Sequence, residues 1–249
     1  MTLALDLLPE PAKDALRRAQ AKATSYAVRV YTVPGETARL LVMLGEAHVK
    51  LAAASELGEE VVKQFPLRGV ETFPVRRVVA GRALWAVIHV PRLALRALSL
   101  GLVKGSTIVD AKRLPTGHTV EIERPERVPL SLHVASLYIT VFFGAFWLQL
   151  LLSLAGITVP WLTTLLLVFE LHFLAIVPAI LLRRHPWSWM LHPAVAILTV
   201  RDTIMADGTV RMLAEHPDAR TAVVVMGRAH LPGTERELVE KHGFRRIPF

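Results

Sequence analysis

The sequence predicts an α/β protein: a central, mostly parallel sheet with flanking helices, interrupted by a two-helix transmembrane hairpin. Three observations carry this. Short β-branched runs alternate with helical periodicity at both ends of the chain. Residues 128–169 contain no Asp, Glu, Lys or Arg. A Gly-x-Ala-His motif closes an apolar run twice, as GEAH at residues 45–48 and GRAH at residues 227–230, one copy on each side of that uncharged stretch.

The elements follow in order. Residues 12–23 have the charge and alanine pattern of a helix, within an N-terminal segment 1–24 whose acidic residues and prolines are those of no secretory signal. YAVRVYTV and ARLLVML, separated by the turn residues PGET, predict a hairpin whose second strand leads into GEAH. Leu51, Ala54, Leu57, Val61 and Phe65 recur at helical spacing, and LRGVE reads as a strand ending at Glu71. Residues 76–105 are apolar but carry Arg76, Arg77, Arg82, Arg92, Arg96 and Lys104, with Pro91 inside. This predicts a pair of basic helices lying on a bilayer surface, with Trp85 at the interface. HTVEIERPERV returns to strand-like alternation.

A membrane-crossing helix needs about 20 apolar residues, so the uncharged run and its continuation accommodate two, at residues 134–157 and 161–182. A turn around residues 159–160 would set Gln149 opposite Glu170. Glu170 and His172 are ionisable groups near mid-span; Glu170 is either protonated and hydrogen-bonded to Gln149 or to a second subunit, or part of a proton or ion path. Arg124 and Arg127 precede the hairpin and Arg183 and Arg184 follow it, which predicts both termini and the polar domain on the cytoplasmic side of the cytoplasmic membrane. Beyond it, WSWMLHPAVAILTV is a buried strand or helix, RDTIMADGTVRMLAEH a helix, TAVVVM a parallel strand and RRIPF a last strand. The expected domains are thus 1–24, a discontinuous α/β domain of 25–127 plus 186–249, and the hairpin at 128–185.

Composition limits the function classes. The net charge of +8 is spread around apolar segments, and no nucleic-acid-binding motif is present, so membrane lipid is the expected partner. With no cysteine, any metal must rest on His, Asp or Glu. Strand-turn-helix units place their loops at the carboxyl edge of a sheet, where α/β folds build sites. There glycine gives a sharp turn or a close approach, and a histidine at a helix N-terminus is kept neutral. His48 and His230 with a carboxylate, Glu46 or Glu71, would form a three-ligand hydrolytic centre for a divalent metal ion.

These motifs resemble the TraB, PrgY and GumN group, which includes the Tiki proteins: LVMLGEAHV, GVETFPVRR with Glu71 and Arg76, RDTIMA with Arg201, and VVVMGRAHLPG. GEAH also resembles the Gly-Glu-x-His motif of erythromycin-esterase (EreA) and ChaN-like proteins, in which the acid belongs to the site. The resemblance implies metal-dependent hydrolysis of a peptide or protein substrate. His48, His230 and Glu71 would be metal ligands, Glu46 and Glu71 catalytic acids or bases, and Arg76 and Arg201 supporting cations. A non-enzymatic module that sequesters a peptide signal at the membrane is the alternative, and homo-oligomers are compatible with either.

Overall fold

The computed structural model describes the chain apart from residues 1–4, 36–37, 48–49, 100–102, 105–106, 184 and 186. In chain order its elements are α1 (Glu10–Ala21), β1 (Tyr26–Thr32), β2 (Leu40–Glu46), β3 (Lys50–Leu51), α2 (Ala52–Lys63), β4 (Leu67–Val70), α3 (Gly81–Leu98), β5 (Val103–Lys104) and α4 (Thr107–Arg113). There follow β6 (His118–Glu121), α5 (Leu130–Leu154), α6 (Pro160–Phe173), α7 (Ile176–Leu181), α8 (Ser188–Leu191), α9 (Val195–Glu215), β7 (Thr221–Gly227), α10 (Leu231–Glu240) and β8 (Arg245–Ile247). The chain divides into two compact units, one of Met1–Phe73, Arg96–Pro125 and Asp202–Phe249, the other of Pro74–Leu95 and Glu126–Arg201.

The first unit holds a six-stranded sheet of order β6-β4-β7-β2-β1-β8. Strands β6, β4, β7 and β2 are parallel, and β1 is antiparallel to both β2 and β8. Strands β2 and β7 are buried along their whole length, as their unbroken apolar runs require. Alternation then sorts their side chains. Leu40, Val42, Leu44, Val223 and Val225 join one cluster with Ala12, Leu16, Val61 and Val62 of α1 and α2. Leu41, Met43, Ala222, Val224 and Met226 join another with Met205, Met212, Leu231 and Leu238 of α9 and α10. The topology inserts β7, which carries GRAH, between β2, which carries GEAH, and β4, which leads to Glu71.

In the second unit, α5 and the segment Pro160–Leu181 are both long and apolar enough to cross a membrane, with mean hydropathies of 1.9 and 2.2 and only 6% of each window buried. Their bounds differ from the expected 134–157 and 161–182. The helix α5 starts directly after Pro129, and at its other end Gly156, with φ +74°, lies in the connection to α6. The edge contacts of Tyr138 with Phe169 and His172, and the ring pair Phe142–Phe169, fix an antiparallel register centred earlier than residues 159–160. Gln149 is consequently not set against Glu170; its amide donates to Ser153 Oγ at 3.3 Å.

Residues 81–98 form one helix, not a pair, because Pro91 is accommodated within it. Proline has no N–H to give the carbonyl four residues earlier. That carbonyl belongs to Val87, and it accepts the indole N–H of Trp147 from α5 at 3.2 Å. Two further bonds join the start of this stretch to α5: the Val79 N–H to His133 Nδ1 at 3.1 Å, and Ser136 Oγ to the Val79 carbonyl at 2.8 Å. Lys104, grouped with the helices by sequence, instead lies in β5, which pairs with β3 in a separate two-stranded sheet. WSWMLHPAVAILTV is helical, split between α8 and the start of α9, and α9 runs on through RDTIMADGTVRMLAE without a break.

Candidate functional site: an Asp-His-Glu cluster at the carboxyl edge of the sheet

Glu71 follows β4 directly, and its N–H continues the ladder to the Val225 carbonyl of β7 at 3.0 Å. Its side chain turns to the end of β7, where Oε2 accepts the Gly227 N–H. The chain then makes a single 3₁₀ turn, Arg228–His230, and His230 becomes the N-cap of α10. The second GxAH copy is therefore the expected strand-turn-helix unit.

His230 is 4% exposed and lies between two buried carboxylates. Its Nδ1 is 2.8 Å from Asp202 Oδ1 of α9, and its Nε2 is 3.7 Å from Glu71 Oε1. The Asp202 bond orients the ring through Nδ1 and turns Nε2 toward Glu71. A separation of 3.7 Å is too long for a hydrogen bond. It is close to the ~3.3–3.6 Å that two N/O ligands with bonds of about 2.0–2.2 Å subtend at one tetrahedral cation. His230 Nε2 and Glu71 Oε1 are the two donors here that could take part in holding a cation.

Glycines make room for this cluster by close approach. A Cβ on Gly233 would stand 1.6 Å from Asp202 Oδ2, so only glycine admits the carboxylate beside α10. A Cβ on Gly45 would meet Leu231 Cδ2 at 3.2 Å and Arg228 Cα at 3.3 Å. Neither motif glycine makes a sharp turn. Gly45 lies within β2, opposite Met226 in the β2–β7 register, and Gly227 is extended at φ −60°, ψ 136°.

The two motif copies differ beyond their glycines. Glu46 ends β2 on the face of Leu40, Val42 and Leu44, and its Oε2 accepts the Thr107 N–H of α4 at 3.0 Å. That N–H is one of the four at a helix start with no partner inside the helix. Glu46 is 1% exposed and aligned with Gly227 in register, but it points to the α1/α2 face while Asp202 and His230 belong to the α9/α10 side. Arg228, its counterpart in GRAH, is exposed and donates to the Ala23 carbonyl.

His48 lies outside the described residues. Among those described, no three His, Asp or Glu side chains are arranged to hold one metal ion. Arg76 and Arg201 both belong to the second unit. Arg76 is exposed in the turn before α3, lining a depression with Val75, Val78 and Arg82, and Arg201 is 6% exposed on α9. Of the residues expected at the site, the structure brings together Glu71 and His230.

Three buried acids were not anticipated: Asp202, Glu123, which is 2% exposed just past β6, and Glu237 of α10. The signal for Asp202 was its place beside Arg201 in RDTIMA, combined with the glycine of HLPG that receives it. No family model, no curated protein and no solved structure matches the chain.

Proposed function

We propose that the chain is a membrane-anchored, metal-dependent hydrolase of TraB type, with an EreA/ChaN-like catalytic domain, acting on a peptide or protein substrate at the cytoplasmic face of the membrane. The observation that carries this reading is His230, buried at the carboxyl edge of a parallel sheet, tethered by Asp202 at Nδ1 with Nε2 toward Glu71. Metal-binding histidines are oriented in this way by a carboxylate on the second ring nitrogen. His230 and Glu71 would hold the cation together with His48, which follows β2 in sequence. When bound, the cation would acidify a water and polarise the scissile carbonyl. Asp202 orients the His230 ring through Nδ1.

Metal analysis of the purified protein beside a His48→Ala/His230→Ala double variant tests this. A divalent ion near one equivalent in the parent and absent from the variant is expected; equal and negligible metal in both would sink the proposal. The Asp202–His230 pair also has the form of an oriented general base. Activity that survives chelation but is lost on His230→Ala would support that second reading instead. The cytoplasmic orientation rests on the arginines flanking the hairpin. A reporter fused after Phe249 is expected to be active on the cytoplasmic side only.

A further inference from the structure

In the second apolar segment, the side that faces α5 is occupied by Phe169, His172 and Phe173, which contact Tyr138 and Phe142. His172, singled out by its depth, is fully engaged there: Nδ1 is 3.0 Å from the Tyr138 hydroxyl and Nε2 is 3.0 Å from the Leu191 carbonyl. Glu170 is on the other side. It is exposed, and no described residue bonds it.

Its neighbours on that side are Thr163, Leu167, Leu174, Val177 and Leu181, which with Glu170 recur at intervals of 4, 3, 4, 3 and 4 residues. Leu167 is 54% exposed, Leu174 71%, Val177 59% and Leu181 76%. A 3.5-residue repeat of apolar positions is the geometry by which one helix packs along another, and a single polar group within such a seam fixes its register. An ionisable side chain in a membrane segment is retained where it meets a polar partner. The one partner certain to carry a carboxyl at the same depth is another copy of the same chain. Two copies inserted in the same sense, related by a twofold axis along the membrane normal, bring Glu170 to Glu170, where the two carboxyl groups can share a hydrogen-bonded proton.

We propose that this face of α6 and α7 is a homodimer interface within the membrane, with the paired Glu170 carboxyls at its centre. This rests on reading α5 to α7 as a membrane hairpin. The chain contains no cysteine, so single cysteines report contacts without background. In native membranes treated with a mild oxidant, Leu167→Cys and Leu174→Cys are expected to form disulfide-linked dimers about tenfold faster than Leu148→Cys on the exposed face of α5. Glu170→Gln, which retains hydrogen bonding, keeps that rate, and Glu170→Ala lowers it about tenfold, the scale of one interhelical hydrogen bond of ~1–2 kcal/mol in a membrane. Cross-linking at Leu174→Cys no faster than at Leu148→Cys, with the protein still extracted only by detergent, overturns the dimer and leaves the hairpin standing. Release of the full chain without detergent overturns the hairpin itself.

Discussion

At Glu46 the two roles open to a buried carboxylate separate cleanly by substitution. Glutamine still offers an oxygen to the Thr107 N–H, whereas alanine removes that buried acceptor at a cost of about 1–3 kcal/mol. We expect Glu46→Ala to lower the unfolding free energy by this amount and Glu46→Gln to change it little. If Glu46 also transfers the proton, Glu46→Gln abolishes hydrolysis in a fully folded protein; undiminished turnover would restrict the residue to holding α4. His230 and Glu71 were legible in the sequence because each sits at the end of its own strand, which local patterning reveals. Asp202 was not, because it reaches His230 from a helix 28 residues away and the contact depends on how α9 packs against the sheet. Nor could the sequence tell that Glu46 turns to the opposite face from the histidine, since both faces of β2 are equally apolar.

Among the elements, α3 shows how a sequence that breaks a local rule can be completed from outside. Pro91 argues for an interruption, and the reading of two helices followed from it. The carbonyl that Pro91 leaves without a donor is instead bonded by Trp147, a donor-only side chain from a segment 60 residues away. Trp147→Phe keeps the aromatic bulk and removes only the N–H. It is expected to destabilise the second unit by ~1 kcal/mol and to speed amide exchange in α3, measured by hydrogen-deuterium exchange; unchanged exchange would show that the bond holds nothing. The hairpin of α5 to α7 was readable to within a few residues because 42 consecutive positions without a charge exceed what one buried helix of a water-soluble core needs and match two bilayer-length helices. The six-stranded sheet was readable as mostly parallel, but not its order. Placing β7 between β4 and β2 requires two segments separated by the whole hairpin to pair, and no local pattern encodes that.

For the whole molecule, the two compact units differ in the groups that couple stability to pH. In the unit containing the hairpin, His192 is held below the ordinary imidazole range by burial and by the nearby His172. Its ring stacks on His172, and its Nε2 is 3.4 Å from the Tyr138 hydroxyl. The unfolded chain therefore binds the His192 proton first, and stability is lost as pH falls from about 6.5 toward the folded value. In the sheet unit, Glu121 of β6 is held below the ordinary carboxylate range, chiefly by its hydrogen bond from Lys112 of α4 at 2.7 Å; burial opposes the shift and Arg124 assists it. Its contribution is present above about pH 4.3 and is lost only as pH falls through the lowered value. Acidification should thus loosen the second unit before the first. All five tryptophans, at positions 85, 147, 161, 187 and 189, lie in the second unit, so intrinsic fluorescence reports on that unit alone. In detergent, tryptophan emission is expected to shift below about pH 6.5 while the strand signal in circular dichroism persists to about pH 4. His192→Asn should remove the early fluorescence change, and Glu121→Gln should flatten only the later, acid-side loss of strand signal. A single transition seen by both probes in the carboxylate range, unaffected by His192→Asn, would mean that the His192 cluster does not govern the acid stability of its unit.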